Sequence, residues 1–182
     1  MDANEIIRLL EEPTENRIPI KQKVLQEALI EQLIIAMHEP KTQLTYVILC
    51  EILGKRKDAR AVPVLIEALH DADASVRTEA AQALAHIESS QAGDALLTQY
   101  LKEDSKGAKE WEVIALGAVK YRPAIPQLIQ ALQVEHLRTY AALALGELKA
   151  KEAKEAVQRA LDHETDPYEV KMMTKALKEL EA

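Results

Sequence analysis

The sequence predicts an all-α protein, a right-handed α-α superhelix (a solenoid) of about five stacked helix pairs. Three observations predict it. Nearly the same phrase is written twice, AVPVLIEALHDADASVRTEAAQAL from Ala61 and AIPQLIQALQVEHLRTYAALALG from Ala124. A leucine followed by a small residue recurs at Leu53–Gly54, Leu84–Ala85, Leu116–Gly117 and Leu145–Gly146, in steps of 31, 32 and 29 residues, and Leu177 keeps the register. Within a copy the apolar residues fall at helical spacing: Val62, Leu65, Ile66 and Leu69, then Val76, Ala80, Ala83, Leu84 and Ile87. Units this short cannot bury a core alone, so each must stack on the next.

In chain order, helices are expected over 3–11, 20–37, 42–54, 60–69, 75–88, 92–101, 108–119, 123–132, 136–147, 151–161 and 167–180. A second register runs through the first helix of each pair at Met37, Leu69, Tyr100, Leu132 and Leu161. Pro63 and Pro126 fall in a first helical turn, where a missing N–H costs nothing. HDADAS supplies a turn and a helix cap, Asp73 or Ser75, and SKG at 105–107 does similar work. The stretch EEPTENRIP breaks the register. Residues 1–182 are therefore expected to form a single repeat domain, with 1–19 an irregular N-terminal capping helix and linker.

Composition narrows the partners. The net charge is −7. Phosphate contacts need Lys and Arg, so nucleic acid is not the expected partner. The apolar runs are far too short to span a membrane, and the start MDANEIIRLL does not read as a secretory signal. Cys50 is the one cysteine. It lies among Ile48, Leu49 and Ile52 and is expected to be a buried, slow-reacting thiol, in keeping with a cytoplasmic protein.

The unit reads A-[VI]-P-x-L-I-x-A-L, a turn, then [VL]-R-T-x-A-A-x-A-L-[AG]. It resembles the short HEAT-like repeat named after the phycobilisome lyases. Residues 61–87 and 124–148 carry the pattern best, and 29–54, 92–117 and 153–180 follow it more loosely. The Trp–Leu–Gly–Tyr pattern of tetratricopeptide repeats and the Thr-Pro-Leu-His turn of ankyrin repeats are absent. The resemblance implies a superhelical scaffold in which an Arg near the start of the second helix and an Asp in the turn link neighbouring units. Here those residues are Arg77, Arg138 and Asp73. It also implies an alternative function, a bilin lyase-type subunit or a chaperone acting on a chromophore-carrying protein.

Enzyme chemistry finds little footing. HEAT-like iron hydroxylases place His-Glu pairs at the start of second helices, where this chain has Thr78. Its own pairs, His38–Glu39 and His163–Glu164, lie in turns four units apart. His70, His86 and His136 read as surface residues. One cysteine excludes zinc-finger spacing, and no Gly-rich phosphate loop occurs. HEAT-like DNA glycosylases offer a basic concave face, whereas Lys102, Lys106 and Lys109 here are matched by Glu103, Asp104 and Glu110. No catalytic residue, metal or cofactor is assigned.

A solenoid stacks equivalent residues into rows. The row through Glu79 holds Ile48, Trp111, Tyr140 and Met172, and the row through Gln82 holds Glu51, Ile114, Leu143 and Lys175. In the best-matched unit these positions are polar. In the next two they are Trp111, Ile114, Tyr140 and Leu143. The expectation is an apolar, aromatic patch on the concave face that docks a peptide or helix of a protein partner, beside Gln82 and an acidic rim of Glu51, Glu79 and Glu147. The competing expectation is that irregular packing turns these side chains inward.

Overall fold

The computed structural model describes residues 1–12, 17–39 and 42–181. Twelve α-helices and no strand occupy the described residues: α1 (Ala3–Glu11), α2 (Ile18–Glu27), α3 (Ile30–Met37), α4 (Gln43–Arg56), α5 (Val62–Ala68), α6 (Ala74–Ile87), α7 (Gly93–Tyr100), α8 (Lys106–Ala118), α9 (Ile125–Ala131), α10 (Arg138–Glu147), α11 (Lys154–Asp162) and α12 (Pro167–Glu181). Each odd-numbered helix packs on the even-numbered helix that follows it, and consecutive even-numbered helices pack directly on one another. Beyond α1 and α3, consecutive odd-numbered helices lie farther apart, with 3-10 turns between them. An array tighter on one layer bends toward it, so the even-numbered helices line the concave face.

Small residues set that tighter layer. A Cβ on Gly54 of α4 would lie 2.7 Å from the Cα of Ala83 on α6, and one on Gly117 of α8 2.7 Å from the Cα of Ala144 on α10. A Cβ on Gly146 would meet the Ala176 Cα of α12 at 3.1 Å. The Leu–small anchor is thus a leucine turned into the core beside a contact of helix on helix. Leu53, Leu84, Leu116 and Leu145 are all buried, and so are Met37, Leu69, Tyr100 and Leu132 of the second register. Buried side chains form a continuous core from Ala3 to Leu180. Cys50 lies inside it, fully buried, and desolvation pushes its thiol pKa far up.

Caps punctuate the array. Asp2, Thr42 and Asp73 accept from the backbone N–H of Glu5, Thr45 and Ser75 and so begin α1, α4 and α6. Of the two cap candidates in HDADAS, Asp73 is the one that caps. At the other end Lys57, Glu88, Lys120 and Lys149 recur in register with positive φ, from 48° to 58°. After α8 the bonds Tyr121 N–H to Leu116 O and Lys120 N–H to Gly117 O close a Schellman motif, repeated after α10 by Ala150 and Lys149.

The N-terminal region departs from the sequence reading. The expected helix over 20–37 is two helices, broken where Ala28 and Leu29 take extended backbone, ψ 138° and 148°. Neither position needs a glycine or proline, so VLQEALIEQL reads as unbroken. The break lets α2 enter the concave layer against α4 while α1 packs on α3. The first helix, expected as an irregular cap, packs on both α2 and α3, and the twelve helices of the described residues make six pairs, in keeping with the expected array of about five. The expected linker falls partly at residues 13–16, outside the described residues.

Candidate protein-interaction surface

Two polar joints fix the spacing between units. The Arg77 guanidinium donates from Nε and Nη2 to the two oxygens of Glu103, both at 2.7 Å, and from Nη1 to the carbonyls of Asp71 and Ala72. Glu103, buried in the turn between α7 and α8, also accepts from Gln99 Nε2 and from the N–H groups of Asp104 and Ser105. The bond from Arg77 holds its carboxyl down to about 2. The same joint returns 61 residues later: Arg138 Nη1 donates to Glu164 Oε2 at 3.0 Å, and Glu164 accepts from Thr165 and Asp166. Asp73 caps α6, and the carboxylate on Arg77 belongs to Glu103 of the next unit. Glu103 therefore does not balance the neighbouring lysines. Lys109 instead reaches the Glu103 carbonyl at 2.9 Å and lies over the Tyr100 ring.

Glu112 is the residue that repeat reasoning missed. It stands on α8 in register with Ala80 and Ala141, a core position, and it is fully buried with neither carboxylate oxygen hydrogen-bonded. Desolvation, reinforced by Glu103, pushes it up to about 8 against the opposing pull of Lys109, Arg77 and Lys102. An acid at a register position otherwise held by Leu49, Ala80, Ala141 and Met173 was the available signal.

On the concave face Trp111, Ile114 and Leu143 are half-buried against the core, while Tyr140 is 36% exposed. Tyr140 and Leu143 line an open cleft of about 190 Å³ between α8, α10 and α12, which Trp111 and Ile114 do not enter. Tyr168 and Met172 of α12 complete its apolar part. Its polar part is Glu110, Glu135, His136, Thr139 and Glu169. Burial, then the charges of Glu110 and Glu169, raise the Tyr140 phenol.

The acids expected at the rim lie elsewhere. Glu51 lines a second cleft, between α2 and α4, where Lys21 and Lys55 both bond it. Burial pushes the Glu51 carboxyl up, but the two ammonium groups together outweigh it and hold it below the ordinary range. Glu79 and Gln82 are half-buried on α6, and desolvation, then Glu51, raise Glu79. Glu147 sits at the far end of α10, 3.5 Å from Lys120. The three do not close around one cleft. Among the described residues no group of His, Cys, Asp and Glu could hold a metal ion, and no helix is long and apolar enough to cross a membrane.

Residues 30–117 match the family of HEAT repeats, and residues 137–163 match the PBS lyase HEAT-like repeat. The fold is a HEAT/armadillo-like repeat solenoid. Solved structures share the fold at low identity. An engineered protein aligns over 98% of this chain and 88% of its own, with a TM-score of 0.66 at 18% identity. A designed armadillo repeat protein aligns over 98% and 100%, with a TM-score of 0.64 at 15% identity. One chain of the complex of CpcE and CpcF of phycocyanin lyase from Nostoc sp. aligns over 99% of this chain and 95% of its own, with a TM-score of 0.51 at 19% identity. No curated protein matches the sequence. The HEAT/armadillo-like frame accounts for the two layers, the Leu–small anchors and the concave rows.

Proposed function

We propose that this repeat protein is a non-catalytic scaffold that holds a segment of another protein on its concave face. One observation carries the reading. The rows that are polar at Glu79 and Gln82 become Trp111, Ile114, Tyr140 and Leu143 in the next two units, and Tyr140 and Leu143 open into a cleft. Aromatic side chains at the centre of a concave layer are frequent anchors of protein contacts. Affinity capture from extract, with wild type beside Trp111→Ala and Tyr140→Ala, tests it. A partner held by wild type and lost by both variants is the expected result. A partner retained at full yield by both removes the patch from the interface.

The match of 137–163 to the PBS lyase HEAT-like repeat supports a second reading, a bilin lyase-type subunit or chaperone. Mixing the protein with a free bilin decides between the two. A shifted and sharpened visible absorption band supports the lyase-type role, and an unchanged spectrum leaves the scaffold reading alone.

A further inference from the structure

The cleft between α8, α10 and α12 is charged in one direction only. Glu110, Glu135 and Glu169 line it, and no Lys or Arg does. Among the described residues none of the three forms an ion pair, and Glu169 has only the Thr139 hydroxyl, at 2.9 Å. His136 also lines the cleft, with its Nε2 turned away from water and without a partner. Tyr140 and Tyr168 present exposed rings beside these groups. A flat cation suits all of this. Carboxylates accept from a guanidinium in a fork, and an aromatic face attracts it.

We propose that this cleft takes an arginine side chain from an extended segment of a partner protein, stacked on Tyr140 or Tyr168 and held by Glu110 and Glu135. The inference rests on the scaffold reading and adds the chemistry of what the scaffold holds. The occupant is a cationic segment because the site supplies acceptors without donors of positive charge. An acidic or purely apolar segment would leave three carboxylates facing it unpaired.

A random peptide library panned on the immobilised full-length protein tests the proposal without assuming its answer. The expected result is enrichment of peptides sharing an arginine. Replacing that arginine by citrulline, which keeps shape and removes charge, should weaken binding at least about tenfold, the scale of a paired interfacial charge. The variant Glu110→Gln/Glu135→Gln should lose a similar factor. Glu155→Gln, on the outer helix α11, should leave affinity unchanged. Circular dichroism confirms that each variant is folded. Enriched peptides without a basic residue, lost on Tyr140→Ala, would overturn the arginine pocket and leave the scaffold standing. No enrichment at all, or citrulline peptides that bind as well as arginine ones, would also overturn the pocket, and the first of these removes the scaffold with it.

Discussion

The concave layer carries two clefts of almost equal size, about 200 Å³ between α2 and α4 and about 190 Å³ between α8, α10 and α12. They differ in how their charges are closed. In the first, Lys21 and Lys55 both bond Glu51, so the acid has its counterions within the molecule. In the second, three glutamates face two tyrosines with no counterion among the lining residues. The frame beneath is shared, because the same Leu–small anchors pack α4 on α6 and α8 on α10. A repeat array therefore separates two tasks. Core register fixes where the helices lie, and the concave rows are free to be completed internally or left open for a partner.

The largest expected effect breaks the frame under both clefts. Arg77→Ala leaves Glu103 buried and unpaired, a change that costs about 3–5 kcal/mol for a buried pair. The loss should appear as a lowered midpoint in chemical denaturation. Arg138→Ala should cost less, since Arg138 and Glu164 are more exposed than Arg77 and Glu103. That joint lies at the turn leading into Tyr168 and Glu169. Arg138→Ala should therefore shift NMR signals of the open cleft and spare those of α2 and α4. Equal destabilisation by the two variants would show that burial does not grade the joints.

Next in size is the buried acid between the two regions. The folded pKa of Glu112 is raised to about 8. The folded state then binds this proton more tightly than the unfolded chain. Its contribution is most favourable below the ordinary glutamate value and is lost as pH rises from there through about 8. Glu103 has the opposite sign, since its folded pKa is lowered to about 2 and its stabilisation disappears only in acid. Glu112→Gln should melt like the parent at pH values below the ordinary glutamate value and increasingly above the parent as pH rises toward 8. A constant gap across that range would mean that Glu112 is ionised in the fold.

Much of this frame was legible in the sequence because period and anchor are local. Leu84 and Leu145 are buried where a 3.6-residue pattern places them, and Cys50 is buried among its apolar neighbours. What escaped depends on distance along the chain. Arg77 meets a glutamate 26 residues away, and nothing local distinguishes Glu103 from the exposed Asp104 beside it. The break at Ala28–Leu29 uses extended backbone that any residue adopts, so it has no compositional mark. At the open cleft, Tyr140 and Leu143 were visible as departures from Glu79 and Gln82, the polar residues of the best-matched unit. Glu135, Tyr168 and Glu169 were not, because turns and the next helix deliver them to the site.

The smallest effect in stability is the sharpest on the comparison itself. If the first cleft differs from the second because its acid is internally paired, removing the lysines should make the two alike. Lys55→Ala alone should cost under about 1 kcal/mol, as partly exposed ion pairs contribute little. In Lys21→Ala/Lys55→Ala the bonds that hold Glu51 down are gone, while its burial and the neighbouring Glu79 remain. The Glu51 carboxyl should then move from below the ordinary glutamate range to above it, a change followed by side-chain carboxyl chemical shifts against pH. The sign of the pH dependence moves with it. In the parent, Glu51 lends stability above the ordinary value that is lost as pH falls through its lowered pKa. In the double variant it should lend stability only below the ordinary value and lose it as pH rises. If the Glu51 titration does not move, the two lysines are not what closes the first cleft, and open charge ceases to be what separates it from the second.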